Sequence, residues 1–290
     1  MSFDVFMETA WNQHAEQTRI VAARLTDSLH LIDDGAQLGR YAALAVHVFG
    51  EHLGEWNRGI EVLQAMQRLP FAAAALPVLN RHLAALTYAA GDAAALEALG
   101  PEDRIAALAT AAAALTGRGD VERGLAAFRA ALALAAGGLP DGSPAHRALA
   151  VAANNLATTL EARSDRSEAE TQGMVEAAEA GLTCWRRAGS WLEVERAAYR
   201  LARSLLQAQR PAEALLSANQ CAEICAHHDA PAFERFFAHA VQAMAHRAAG
   251  DGRAFETARQ QAMDCHARVP ADEKTWCEAD LAVLNDGRSS

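Results

Sequence analysis

Apolar residues recur along most of the chain at helical spacing, in segments separated by short turns that pair glycine with an acidic residue. Runs of β-branched residues with alternating polarity, which would predict strands, do not occur in the sequence. The pattern therefore predicts an all-α fold, with helices from residue 3 to residue 285. It includes single helices over 3–32, 36–53, 92–99 and 271–285. The acidic turns are Gly54-Glu55, Gly91-Asp92, Gly119-Asp120 and Gly250-Asp251.

Paired helices of this kind cannot bury their apolar faces alone, so several pairs must stack into one core. After Gly119 the turns follow one another at roughly 40–45 residues, a period typical of paired-helix repeats. We therefore predict one α-solenoid over residues 1–290. A glycine- and proline-rich loop at 137–143 leaves open a division into sub-halves 1–136 and 144–285. Residues 286–290 are predicted to be a frayed tail.

Composition narrows the class of partner. Hydrophobic residues make up 51% of the chain and aromatic residues 6%, so much of the apolar content is alanine, which favours close helix packing. The formal net charge of −10 argues against a nucleic-acid partner. The sequence has neither an uninterrupted apolar run of about 20 residues nor a signal peptide, so no membrane partner is expected. Five cysteines without a disulfide framework and a single lysine, Lys274, favour a reduced, cytoplasmic, bacterial protein.

Several segments resemble tetratricopeptide repeats (TPR). Gly119-Asp120 resembles the turn of that family, and Phe128 and Ala131 match its large and small packing positions. Gly124 and Gly59 stand where the repeat has a small packing residue. The segment from Ala153 resembles the longer repeats of kinesin light chains through Asn154-Asn155-Leu156-Ala157 and Glu168-Ala169-Glu170. The resemblance covers most of residues 38–268, and it implies a right-handed superhelix that binds other proteins.

Members of this family are similar in using the first helix of each pair to line a concave groove. On three consecutive first helices of this chain, polar and basic residues share one stripe because they recur at helical spacing. Amides and guanidiniums in such an arrangement suit the binding of carboxylates. Asn155, Arg196 and Arg200 resemble part of a carboxylate clamp of the family, whereas Ala109 and Ala113 replace its remaining cation and amide. The candidate ligand-binding residues are Asn154, Asn155, Thr158, Arg196, Arg200, Arg203, Gln207, Arg235, His239, Gln242 and His246.

Two functions follow from this surface. The first is a non-enzymatic scaffold or adaptor that binds an acidic or carboxylate-bearing peptide of a partner protein in the groove. The alternative is a regulatory or sensor module that binds a small anionic metabolite inside the superhelix. A third interpretation is that the stripe is only a solvated helix face without a ligand, with its arginines paired to Glu161, Glu193 or Glu234. Homo-oligomerisation remains open too, through an apolar face around Phe233, Phe236 and Phe237.

Other chemistry-bearing residues give weaker signals. Cys221, Cys225 and His228 share a helical face but lack the fourth ligand that structural zinc requires. His47 and Glu51 could form an acid–base pair, yet no nucleophile accompanies them. We therefore predict no catalytic residue, no metal and no cofactor.

Overall fold

The computed structural model describes residues 1–286, and the predicted tail beyond Asp286 lies outside the described residues. The described part contains helices and no strand, so the predicted all-α class is confirmed. None of its helices is long and apolar enough to cross a lipid bilayer. The helices are α1 (Phe3–Gln13), α2 (Thr18–Asp27), α3 (Gly35–Val46), α4 (Trp56–Met66), α5 (Leu76–Ala89), α6 (Pro101–Gly117), α7 (Val121–Ala136), α8 (Ala145–Glu161), α9 (Glu168–Ala188), α10 (Trp191–Gln207), α11 (Pro211–His227), α12 (Ala232–Ala248), α13 (Gly252–His266) and α14 (Glu278–Asn285).

The chain divides into two compact units, unit 1 at residues 1–156 and unit 2 at residues 157–290. In both units the helices pack in consecutive pairs, such as α6 with α7 and α12 with α13. The four acidic turns adopt the predicted form, because Gly54, Gly91, Gly119 and Gly250 all have positive φ angles that favour glycine. A single solenoid with a division at 137–143 stays a prediction.

Unit 1 is built around large side chains of α1, α3, α4, α5 and α7 and the small residues of α6. Tyr41 is fully buried, stacks on Phe6 and donates its hydroxyl to the Leu25 carbonyl at 2.7 Å. The two packing glycines of the repeat pattern lie at close helix contacts. A Cβ added at Gly59 would lie 2.6 Å from Leu86, and one added at Gly124 would lie 2.1 Å from Thr116. At either position a neighbouring group would have to move to admit a side chain.

Unit 2 has a core of α12, α13 and α14. Phe236 is fully buried there, and Phe233 and Phe237 pack against the same cluster. These three rings are thus accounted for by core packing within the unit, and the apolar face considered for oligomerisation is largely covered.

Three of the predicted single helices are wrong. The segment predicted at 3–32 is broken after Gln13, and α2 begins only at Thr18, whose hydroxyl donates to the His14 carbonyl at 2.7 Å. The segment at 92–99 forms only a 3₁₀ turn at Ala93–Leu96. At 271–285 a 3₁₀ turn, Lys274–Cys277, precedes the short helix α14. None of these segments has a glycine or proline at the break itself, so the break cannot be predicted from the sequence pattern.

The segment predicted as one helix over 36–53 changes its winding halfway. After α3 the chain continues as a π-helical segment, His47–Leu53, which ends at Gly54. Each turn of a π-helix contains more residues than an α-helical turn, and such segments occur frequently at functional sites. This segment positions the histidines described below.

Candidate functional site

The predicted arginine stripe forms along α10, and each of its arginines is already paired with a carboxylate of unit 2. Arg196 forms an ion pair with Glu234 of α12, and Arg200 forms one with Glu161 at the end of α8. In both pairs the guanidinium nitrogen lies 2.5 Å from the carboxylate oxygen. Arg203 pairs with Asp280 of α14. The acidic side chains are buried, with exposures of 8%, 7% and 4%. The stripe therefore joins α10 to three other helices.

Additional hydrogen bonds fix these pairs. Ser204 donates to the second oxygen of Glu161 at 2.7 Å, and Tyr199 donates to the second oxygen of Asp280 at 2.7 Å. The hydrogen bond and charge of Glu234 raise the pKa of Arg196, whose side chain is still 58% exposed. A ligand carboxylate would have to compete with these internal acids at Arg196 and Arg200.

The remaining predicted residues are distributed over both units. Asn154 and Thr158 are exposed on α8. Asn155 belongs to unit 1, where its amide donates to Glu51 at 3.3 Å. Ala109 and Ala113, which replace the rest of the family's clamp, are buried.

On α12 the predicted polar residues also have partners within unit 2. Arg235 pairs with Asp229, and His239 contacts Gln242 at 3.0 Å. Gln242 donates to Asn219 at 2.9 Å, while His246 lines a small cavity of about 320 Å³.

A larger cavity, of about 620 Å³, lies at the carboxyl-terminal ends of α8, α10 and α12. Two predicted residues, Arg203 and Gln207, line it. Sequence analysis missed the others, because they lie at helix ends and in the turns after them, outside the predicted stripe. The cavity has four arginines and one glutamate in its wall, together with Leu206, Met244 and Val283. The four arginines are Arg163, Arg166, Arg203 and Arg247.

Two of these arginines have neutral partners. Arg166 donates to the carbonyl of Leu160 at 2.6 Å and to the side-chain oxygen of Gln207. Arg247 donates to the Val283 carbonyl at 2.9 Å. Because a carbonyl does not neutralise a guanidinium, the positive charge of both side chains persists at the cavity. Arg163, by contrast, forms an ion pair with Glu170 at 3.1 Å.

In unit 1, His14 comes together with His47 and His52, which are far from it in sequence. The Nε2 atoms of His47 and His52 lie 3.1 Å apart, and the ring of His14 lies 4.9 and 5.1 Å from theirs, measured between centroids. Trp11 packs against His14 and His47. All three histidines are half-buried, and their ligand atoms lie within 4.8 Å of one another. Burial and then the charge of His47 lower the pKa of His52.

The cysteine pair on α11 has a different partner from the one the sequence suggests. Cys221 donates to Glu195 at 2.9 Å, and burial raises the pKa of Glu195 to about 7. His228, which shares the helical face with the cysteines, stacks on Trp191 with centroids 5.0 Å apart. The arrangement is thus a buried thiol–carboxyl contact, with His228 packed elsewhere.

Comparison with known proteins supports the fold. No protein-family model matches the sequence, and no curated protein matches it. Among solved structures, the Q17M form of the "kinesin light chain nearly identical TPR-like repeats" of Podosopora anserina matches with a TM-score of 0.51 and 17% identity. The alignment covers 81% of this chain and 97% of that one. The predicted resemblance is therefore confirmed at the level of the fold: this chain is a TPR-like helical-repeat protein.

Proposed function

We propose that the protein is a non-enzymatic interaction scaffold, and that unit 2 docks a carboxylate-bearing peptide of a partner protein at the cavity of about 620 Å³. The observation that carries this proposal is the composition of the wall, in which four arginines accompany a single glutamate. Two of these arginines, Arg166 and Arg247, donate to neutral groups, and in a chain with a net charge of −10 their positive charge favours anions locally.

The chemistry of the wall favours a peptide end over a bare anion. Arg166 and Arg247 supply charge without a carboxylate partner, as a carboxylate ligand requires. Leu206, Met244 and Val283 offer an apolar surface beside them, where a neighbouring apolar side chain would be buried. Arg196 and Arg200 of the predicted stripe then serve mainly to hold α10 against α12 and α8.

The test uses the full chain and C-terminal hexapeptides selected from a synthetic library. Each selected peptide is labelled with fluorescein at its amino end and made in two forms, one with a free carboxylate and one with a terminal amide. We expect the free acid to bind at least about tenfold more tightly in fluorescence anisotropy, because charged hydrogen bonds contribute about 1.5–3 kcal/mol. Equal affinity of the two forms would contradict the proposal.

Variants locate the binding site. Arg247→Gln combined with Arg166→Gln removes the two guanidiniums of the cavity that donate to neutral groups, and it should weaken binding of the free-acid peptide by about tenfold or more. Arg186→Gln is the matched control, since Arg186 is exposed on α9 and does not line the cavity. Affinity that falls equally in the control would place the binding site elsewhere.

A small anionic metabolite is the second candidate, because the volume of the cavity lies within the range of small-molecule sites, about 300–1,000 Å³. Thermal unfolding against di- and tricarboxylic acids and inorganic phosphate separates the two functions. Stabilisation by a small acid, lost in the Arg247→Gln variant and without peptide binding, favours the sensor. Peptide binding without such stabilisation favours the scaffold.

A further inference from the structure

The π-helical segment of unit 1 brings together two histidines that an α-helix would separate. In an α-helix, residues five positions apart point about 140° away from each other. In a π-helix the hydrogen bonds close over five residues, so such residues lie on the same side of the helix. His47 and His52 are five positions apart, and their Nε2 atoms are separated by 3.1 Å. His14 joins them from the carboxyl-terminal end of α1.

Hydrogen bonds at the opposite ring nitrogen prepare two of these histidines, His47 and His14, to act as ligands. His47 contacts Glu51 through Nδ1 at 3.1 Å, and a proton on that nitrogen leaves a lone pair on Nε2. Nδ1 of His14 contacts the Trp11 carbonyl, which fixes that ring in the same manner. Metal-bound histidines commonly donate their other N–H to a carboxylate or a backbone carbonyl. Both kinds of partner are present here.

The carboxylate is itself held in place. Asn155 donates to the oxygen of Glu51 that His47 does not use, at 3.3 Å. Glu51 is 20% exposed, so its charge also offsets part of the positive charge of a bound ion. Arg118 donates to the backbone carbonyl of His52 at 2.8 Å and adds an opposing positive charge nearby.

The spacing of the three rings fits a divalent transition metal. A zinc ion bonds imidazole nitrogens at about 2.0–2.1 Å, which places two such nitrogens roughly 3.3–3.5 Å apart. The His47–His52 distance of 3.1 Å is close to that spacing, and small side-chain rotations bring the third nitrogen within reach. Three imidazoles leave further coordination positions for water.

We propose that His14, His47 and His52 form a binding site for a divalent transition metal ion such as Zn²⁺, with one ring nitrogen from each. Glu51 is the positioning residue that orients His47, and Asn155 orients Glu51. This site lies in unit 1 and is independent of the peptide-docking function proposed for unit 2.

Titration of the untagged full chain with Co²⁺, after removal of metals with a chelator, tests the proposal. We expect one equivalent of Co²⁺ to bind, to give visible d–d bands and to be displaced by Zn²⁺. A site made of nitrogen ligands gives no sulfur-to-cobalt charge-transfer band, which distinguishes it from Cys221 and Cys225. Absence of saturable Co²⁺ binding, or a spectrum with that charge-transfer band, would overturn the proposal.

Substitutions identify the ligands. His52→Gln and His14→Gln should each weaken Co²⁺ binding by about 100-fold or more, and Glu51→Gln by about 10–100-fold. His30→Gln is the matched control, because Nδ1 of His30 contacts the carbonyl three residues before it, as that of His14 does, and His30 lies outside the cluster. Circular dichroism in chelator checks that every variant is folded. Wild-type affinity in folded His14→Gln and His52→Gln, or an equal loss in His30→Gln, would sink the assignment.

Discussion

Replacing Gly124 by alanine tests whether α6 and α7 are in contact as closely as the structure indicates. The new Cβ would lie 2.1 Å from Oγ1 of Thr116 and 3.1 Å from the carbonyl oxygen of Ala112. The threonine side chain can rotate away, but the carbonyl belongs to the backbone of α6. The two helices must therefore move apart, and overpacking of this kind costs about 1–3 kcal/mol.

Gly39→Ala provides the matched comparison. Gly39 also lies inside a helix of unit 1, and a Cβ added there has no neighbour within 4 Å. Alanine gains about 1 kcal/mol over glycine in a helix at either position. Because this gain is common to both variants, their difference isolates the overpacking cost of about 1–3 kcal/mol.

The assay is urea unfolding followed by far-ultraviolet circular dichroism, with hydrogen exchange of α6 and α7 to localise the effect. We expect Gly39→Ala to raise the free energy of unfolding and Gly124→Ala to lower it relative to Gly39→Ala. Equal stabilisation by the two substitutions would refute the close contact between α6 and α7.

Three further predictions concern buried polar groups. Burial raises the pKa of Glu195 to about 7. The folded chain therefore keeps a proton that the unfolded chain loses above about pH 4.5, and stability falls by up to about 3 kcal/mol as pH rises to about 7. In urea titrations at several pH values, Glu195→Gln should remove this slope; an unchanged slope contradicts the assignment. Tyr41→Phe should lower the free energy of unfolding by about 1 kcal/mol, since a buried hydrogen bond is lost. An unchanged free energy of unfolding in urea would show that this hydrogen bond does not stabilise the fold. Asp280→Asn leaves Arg203 without its carboxylate and should increase proteolysis at α14, whereas the exposed Glu213→Gln should not. Equal cleavage of the two variants would show that the ion pair does not hold α14.

The features that could be predicted from sequence are local ones. The turns at Gly119 and Gly250 depend on a positive φ angle beside a helix end, and the residues that permit it are visible in the sequence. The same holds for the spacing of Arg196, Arg200 and Arg203 along one face of α10. Even local signals can shift register: Asp165 and Glu168 have the spacing of a capping box in the sequence, whereas the structure forms the box from Ser167 and Glu170.

The partners of those residues could not be predicted. Arg196 is 38 residues from Glu234, and Arg203 is 77 residues from Asp280, so only the packed helices bring them together. The histidine cluster could not be predicted from the sequence for a different reason. An α-helical register places His52 away from His47, and no residue type in the segment signals the π-helical winding that reverses this.

Helix α6 has a consequence for the neighbouring segment that carries these histidines. Seven of its seventeen residues are alanine, and the side chains from Ile105 to Ala109 and from Ala111 to Thr116 are buried. At its end, a Cβ added to Gly117 would lie 2.9 Å from the carbonyl oxygen of Glu51. The small side chains of α6 thus allow the wider π-helical turns to pack closely against it. The positions of His47 and His52 consequently depend on alanines and a glycine that have no functional group of their own.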